Sequence, residues 1–252
     1  MTFLRPQIGY APAAFGMNAM ASRAFDLVVA AGAALVFALP MAVIACAVWL
    51  EGGRPILFAQ TRLGRGGAPF RMYKFRKFSA SCGTDGCPLT TARDVRMTPL
   101  GRLLAATKLD ELPQLWNVLR GDMAIVGPRP ESLAFADCFQ NGFEKVLEHK
   151  PGLLGPSQVL FRHEGRLYPP DSDPTCFYRE VLFPAKARLD LAYFSRRSLA
   201  GDIGWLLRGV LVVAGWVPGQ AAPGQRSPKL AEPTRREQTD ELQRLTGAGD
   251  RG

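Results

Sequence analysis

The chain has 252 residues and a mass of 27.5 kDa, enough for one medium domain with appendages. That is too little for a polytopic transporter with a separate soluble catalytic domain, and a hydrophobic content of 47% excludes a wholly disordered chain. Lys and Arg number 31 against 22 Asp and Glu, a formal charge of +9 that points to a polyanionic partner: nucleic acid, anionic lipid or a phosphorylated substrate. Only 2 His are present, which excludes a His-rich metal site, and the 5 scattered Cys do not form a secreted disulfide framework.

Residues 1–20 are rich in Ala, Gly and Pro and are expected to form a flexible N-terminus. The charge-free run from Leu27 to Leu50 follows. As a helix its roughly 24 residues would cross a bilayer core of about 30 Å. A signal peptide does not fit, because Arg23 lies well inside the chain and no small-residue cleavage site leads into a polar domain. Two membrane geometries compete: a straight span, and a re-entrant hairpin over residues 21–51 that returns to the side it entered. Pro40 sits near the middle, where it removes a backbone donor and kinks the helix. Arg5 and Arg23 precede the run, and Arg54, Arg62 and Arg65 follow it. Cytoplasmic flanks carry Lys and Arg, so cations on both sides favour the re-entrant form.

From Ile56 to Arg76 the pattern reads strand, Gly-rich turn, strand, with Gly64, Gly66 and Gly67 in the reversal. Phe70, Met72, Lys74 and Arg76 fall on one face by the period of two. Two cations at that spacing suit a diphosphate or a row of lipid phosphates. A solvated face near an anionic membrane is the equal alternative. Tyr73 and Phe75 interleave with the cations, a weak sign of RNA binding.

Thr98 before Pro99 is an N-cap with Pro at the first helical position. A second helix start is expected at Asp110, with Glu111 next and Pro113 in the first turn. Leu112, Leu115, Trp116 and Leu119 then make one apolar stripe, and Gly121 ends the helix. The positive end of a helix attracts phosphate and keeps a carboxylate ionised. Asp110 there is either a plain N-cap or a nucleophile able to form an acyl phosphate. Glu111 is either a first-turn acid, a base or a Mg²⁺ ligand. In Gly127-Pro128-Arg129-Pro130, two prolines stiffen the backbone around one Arg. The segment serves as a pre-ordered phosphate or base clamp, or simply as a rigid connector. Glu131 is a further metal-ligand or helix-terminus candidate.

Trp205 to Val217 is apolar with Arg208 inside it, and suits either an interfacial or a core helix. Past Pro218 the composition turns to Gly, Pro, Gln and charge, so residues 218–252 are expected to be a disordered tail. Cys82 and Cys87 lack a second Cys pair and mark an exposed loop rather than a zinc site.

These blocks, in order, resemble the bacterial sugar transferases, the monotopic polyprenyl-phosphate phosphoglycosyl transferases. They are SRAFDLV leading into the Pro-broken helix, FAQTRLGRGGAPFRMYKFR, KLDELPQLWNVLRGDMAIVGPRPE, KPGLLGPSQV and AKARLDLAYFSRRSLAGDIGWLLRGV. The resemblance runs from about Ala21 to about Val213. It implies an α+β, mainly helical fold: a re-entrant membrane helix hairpin, a β-hairpin and a small cytosolic catalytic domain over residues 52–217 with interfacial helices.

The resemblance also implies a seat on the cytoplasmic face of the bacterial inner membrane, in contact with lipid, and no nucleic acid partner. It implies a UDP-sugar donor, an undecaprenyl phosphate acceptor and Mg²⁺. Asp110 would attack the sugar-bearing phosphorus and Glu111 would serve the metal or the second step. Lys74, Arg76 and Arg129, the last held by Pro128 and Pro130, would lie near phosphates or the nucleotide. A catalytically inactive scaffold of a polysaccharide assembly complex is the rival within the family. A membrane-tethered polyanion binder is the rival outside it.

Two departures stand out: Leu39 precedes Pro40 where the family often has Ser, and YKFRSM continues here as YKFRKFS. The bundle of spanning helices carried by larger members is not seen, so the minimal form is expected. Sugar specificity is placed between Phe161 and Tyr178, near His163, Glu164 and Asp171. An exposed apolar face could support a homodimer.

Overall fold

In a computed structural model, residues 18–79, 82, 89–90, 94–169 and 172–216 are described. The expected flexible N-terminus up to residue 17 and the tail from 218 lie outside the described residues, as do Cys87 and Asp171.

The apolar run forms two helices, α1 (Asn18–Val36) and α2 (Ala38–Gly52), broken at Phe37 with φ −92° and ψ 6°. The break falls one turn ahead of Pro40. A proline ring collides with the carbonyl four residues back, here that of Val36, and offers no N–H to it. One face of α1 is anchored. Arg23 donates to Val118 O at 2.7 Å and Leu119 O at 2.9 Å, and Asp26 accepts from Ile125 N at 2.8 Å. The rest of α1 is bare: Val28, Leu35 and Val36 are exposed, and only 11% of the window Ala19–Val36 is buried. The core helix of a water-soluble protein would have buried these side chains. In α2, Ile44 and Val48 pack inward while Leu39, Val43, Trp49 and Leu50 face out.

The hairpin is as expected. Strands β1 (Leu57–Leu63) and β2 (Pro69–Phe75) pair antiparallel, Leu57 opposite Phe75 and Leu63 opposite Pro69. The reversal uses Gly66 and Gly67 at φ 70° and 73°, a region closed to most side chains. Helix α3 (Pro99–Thr107) starts under its Thr98 cap, whose hydroxyl accepts from Gly101 N at 2.9 Å.

The acid pair departs from the expected helix start. Asp110 and Glu111 lie in a 3₁₀ turn, Leu109–Glu111, and α4 (Gln114–Arg120) begins three residues later with Pro113 before it. Asp110 is therefore no N-cap, and its side chain is left for other work. Trp116 is the second departure. It is 57% exposed, while Leu115 and Val118 fill the core and Leu112 and Leu119 pack at its margin. The buried Asn117 takes the side facing β2, accepting from Tyr73 N at 3.1 Å and donating to Arg71 O at 2.7 Å. Gly121 ends α4 at φ 96°.

Strands β3 (Ala124–Val126) and β4 (Gly152–Leu154) pair parallel behind this helix. Short helices α5 (Pro156–Leu160) and α6 (Pro174–Phe177) lead through a π turn, Tyr178–Leu182, into α7 (Phe183–Phe194) and α8 (Leu199–Val213). Mostly helical with two small sheets, the fold is α+β as expected. Trp205 and Leu206 of α8 pack on the core formed by Ala30, Met72, Leu115 and Ile125, whereas Leu207, Val210 and Trp216 are exposed. A second core joins Phe135, Val146, Tyr178 and Phe183, and a third joins α2 to Phe75 and Leu104.

Candidate active site

Helix α3 ends on Lys108, a side chain held at φ 62°, where a residue other than Gly is strained. This left-handed residue turns the chain sharply, so that the 3₁₀ turn presents both acids to β2. Asp110 is 2% exposed, and its Oδ1 is buried with no hydrogen-bond partner. Burial raises its carboxyl above the ordinary range, Lys74 opposes this, and the neighbouring Glu111 adds to it. Glu111 is held differently. Lys74 Nζ donates to its Oε1 at 2.7 Å and Lys108 Nζ stands at 3.7 Å. Burial works against its ionisation, yet Lys108, Lys74 and Arg129 overcome it and hold the carboxyl well below the usual range. Both lysines thus meet Glu111 at Oε1, and Asp110 keeps Oδ1 free.

The Pro-Arg-Pro segment is fixed by a close crossing. Gly127 N donates to Leu154 O at 2.9 Å, Gly152 N donates to Pro128 O at 2.9 Å, and a Cβ at Gly127 would stand 2.3 Å from Lys150 O. Pro128 and Pro130 are buried, which leaves Arg129 projecting from a stiff support. Burial disfavours its charge, but Glu164, Glu131 and Glu111 outweigh that and keep the guanidinium protonated.

Behind Arg129 lies a buried network. Tyr178 donates to Glu131 Oε1 at 2.6 Å, and Lys186 Nζ donates to Glu164 Oε2 at 2.9 Å and to Tyr178 Oη at 3.2 Å. Burial would raise the Glu164 carboxyl, but Lys186 and Arg129 bring it down to about 2. Arg62 donates to Gln60 at 2.7 Å and to Pro130 O at 3.4 Å, and burial together with Arg129 lowers it to about 10.

A cavity of about 910 Å³ joins these groups, and Lys74, Arg76, Asp110, Glu111 and Arg129 all line it. Pro128 and Pro130 stand behind it as supports, and Pro40 lies apart, at the break between α1 and α2. Among the described residues no cluster of three or more His, Cys, Asp and Glu could enclose a metal. Mg²⁺ needs less. It retains water and takes one or two carboxylates plus substrate phosphates. The free Asp110 Oδ1 beside Glu111 fits such an open donor set.

A family profile described as bacterial sugar transferase matches residues 17–215. The chain belongs to the bacterial sugar transferase family. The UDP-glucose:undecaprenyl-phosphate glucose-1-phosphate transferase of Caulobacter vibrioides is 44% identical over 142 residues, 54% of this chain and 52% of that protein. The protein of the same description from Escherichia coli K12 is 39% identical over 147 residues, 57% of this chain and 32% of its own length. The exopolysaccharide production protein PSS of Rhizobium leguminosarum is 33% identical over 198 residues, 74% of this chain and 92% of that protein. This sugar transferase therefore spans about half of the Caulobacter relative and about a third of the Escherichia coli one.

Within this sugar transferase, the sequence suggested no site role for Lys77, Lys108, Tyr178 or Lys186, and Arg62 entered only as a flanking charge. Lys108 carried a signal, adjacency to the acid pair. Tyr178 and Lys186 carried none, because they meet Glu131 across 47 and 55 residues of chain, the latter at 3.7 Å. Glu164 does line the cavity; His163 does not, and Asp171 lies outside the described residues. Arg23 and Arg65, read as flanking charges, bind backbone carbonyls instead, the latter Glu148 O at 3.0 Å.

Proposed function

We propose that the chain moves a sugar 1-phosphate from a UDP-sugar to undecaprenyl phosphate through a covalent aspartyl intermediate, as an early membrane step in surface polysaccharide synthesis. One observation carries this: Asp110 Oδ1 is buried and unpartnered beside an acid whose Oε1 is paired with two lysines, in a cation-lined cavity. Relatives with matching sequence are described as UDP-glucose:undecaprenyl-phosphate glucose-1-phosphate transferases, which supports the donor and acceptor classes.

In the first step a carboxylate oxygen of Asp110 attacks the sugar-bearing phosphorus, and the bond to the bridging oxygen breaks. UMP leaves with that electron pair, and the phosphosugar stays on the protein as an acyl phosphate. An oxygen of undecaprenyl phosphate then attacks the same phosphorus, and the Asp110 carboxylate is released. Lys74 and Lys108 hold Glu111 in place, and Arg129 meets charge on the phosphate oxygens from its rigid Pro-Pro support. Glu111 would hold Mg²⁺ with the donor diphosphate, and the ion would offset phosphate charge.

The bare faces of α1 and α2 support a membrane seat, and the break at Phe37 supports a re-entrant course with the cavity at the cytoplasmic headgroup level. The test is UMP release in nanodiscs with undecaprenyl phosphate, Mg²⁺ and a panel of UDP-sugars beginning with UDP-glucose. Release with one donor, reduced at least about a thousandfold in Asp110→Asn, is expected. Near-parent turnover by that variant would overturn the nucleophile, and silence across the panel from folded protein would favour the scaffold.

A further inference from the structure

Among the cations that line the cavity, two neighbouring pairs differ in their partners. Lys74 and Lys108 are committed to Glu111. Arg76 and Lys77 have no described carboxylate within ion-pair distance, although Asp110 and Glu111 act on Lys77 from further off. Arg76 is 7% exposed; its Nη2 donates to Val48 O at 3.2 Å, while its Nη1 is buried without a partner. The guanidinium is pressed onto the last turn of α2, since a Cβ at Gly52 would stand 2.7 Å from Nη2.

Lys77 is fixed just as firmly. Its carbonyl accepts from Thr98 N at 3.1 Å, and a Cβ at Gly101 would fall 1.9 Å from that oxygen, so α3 can rest there only on a glycine. Its ammonium stands 5.3 Å over the Phe78 ring. Burial and then Lys74 push it down to about 8, against the weaker opposing pull of Asp110 and Glu111.

The neighbouring wall says which anion. Pro55 and Leu57, the chain directly after α2, line the same cavity as Arg76 and Lys77. Leu57 is 44% exposed, and Trp49 and Leu50 at the end of α2 are 51% and 72% exposed. Exposed apolar side chains therefore stand at the end of α2 and, past the charged Glu51 and Arg54, at the cavity wall that also carries two cations without an ion pair. An amphiphile with a long hydrocarbon chain and a phosphate head can use both the apolar side chains and the cations. A soluble nucleotide does not use the apolar part.

Building on the transfer reaction above, we propose that Arg76 and Lys77 seat the phosphate monoester of the membrane-borne acceptor, beside the Lys74–Lys108 pair that holds Glu111. A monoester carries close to two charges at neutral pH, and two cations meet it.

Calorimetric titration of the detergent-solubilised full chain tests this without turnover. The probes are farnesyl phosphate, farnesol, a lysophosphatidic acid of similar chain length, and UDP. Lys77→Met and Lys77→Gln should each weaken farnesyl phosphate by about tenfold or more and shift UDP by less than about twofold, with Lys77→Arg near the parent. Farnesol and lysophosphatidic acid should bind the parent at least about tenfold more weakly than farnesyl phosphate. Unchanged farnesyl phosphate binding in both variants, or an equal loss for UDP, overturns the assignment. Lysophosphatidic acid binding as tightly as farnesyl phosphate overturns it too, and makes this a general headgroup seat. Absence of UMP release from the parent would instead sink the transfer reaction, and the binding split would still be read.

Discussion

Lys186 holds the polar floor of the cavity together. Its ammonium is 4% exposed and lies 2.9 Å from Glu164 and 3.7 Å from Glu131. Replacing it by Met removes the cation that ion-pairs with both carboxylates and leaves them the longer-range fields of Arg129 and Arg62 in a poorly hydrated place. Removing one partner of a buried ion pair costs about 3–5 kcal/mol, so Lys186→Met should lower the denaturant midpoint sharply. Tyr178→Phe removes one hydroxyl from Glu131 and should cost less, about 1–3 kcal/mol. Equal midpoints for parent and Lys186→Met would mean that the network does not stabilise the fold.

Asp190 offers a test by pH. It accepts from Ser157 N at 3.0 Å and from Ser157 Oγ at 2.7 Å, yet burial raises it from 3.8 to about 7. Between those values the folded state keeps a proton that the unfolded chain releases, so this group makes stability fall as pH rises from 4 to 7, by at most about 1.4 kcal/mol per unit. Asn can still accept from Ser157 N and donate to Ser157 Oγ. Relative to the parent, Asp190→Asn should gain stability across that window, and an identical pH profile for the two proteins would refute the shift.

At the scale of elements, the crossing of Gly127 and Gly152 sets the reach of Arg129. A Cβ at Gly152 would stand 2.0 Å from Gly127 N, inside covalently bonded backbone that cannot yield. Gly152→Ala should therefore push β3 and β4 apart, destabilising by about 1–3 kcal/mol and weakening UDP binding as Arg129 shifts. Retained stability and retained UDP affinity would show that the strands tolerate the shift. The sequence displayed the parts of this architecture that depend on near neighbours: the Gly-rich reversal, the Thr98 cap and the Gly121 stop. It concealed what depends on distant partners. Trp116 matched the helical stripe, but Asn117 takes the β2-facing place because its amide satisfies the backbone of Tyr73 and Arg71, 44 and 46 residues away. Asp110 was legible as an acid beside a helix start, but its displacement into a 3₁₀ turn depends on the left-handed Lys108, which no local preference predicts. Lys77 was visible only as a departure from the family's YKFRSM pattern.

For the whole molecule the question is which side of a membrane each end of the apolar run faces. The +9 charge and the two bare helices favour an anionic surface, but Arg23 and Arg65 are held by backbone carbonyls. Charge counting alone is thereby weakened, and contacts must decide. Arg23 binds the last carbonyls of α4, and Asp26 binds Ile125 N, so the start of α1 is attached to the same body that carries the cavity. The end of α2 is attached to that body as well, through Arg76 and through Glu51, which accepts from Leu100 N at 3.1 Å. A straight span would have to carry one of these anchors across about 30 Å of hydrocarbon and abandon buried polar contacts, at several kcal/mol for each unsatisfied group. These contacts support the proposed re-entrant course, in which both ends lie on one side. Single cysteines at Ala21 and Arg54, in a background with all five native Cys changed to Ser, give the check. A membrane-impermeant thiol reagent applied to intact spheroplasts should label neither site, and both should react once the membrane is opened. Labelling of Ala21→Cys alone in intact spheroplasts would establish the straight span and place the N-terminus opposite the cavity.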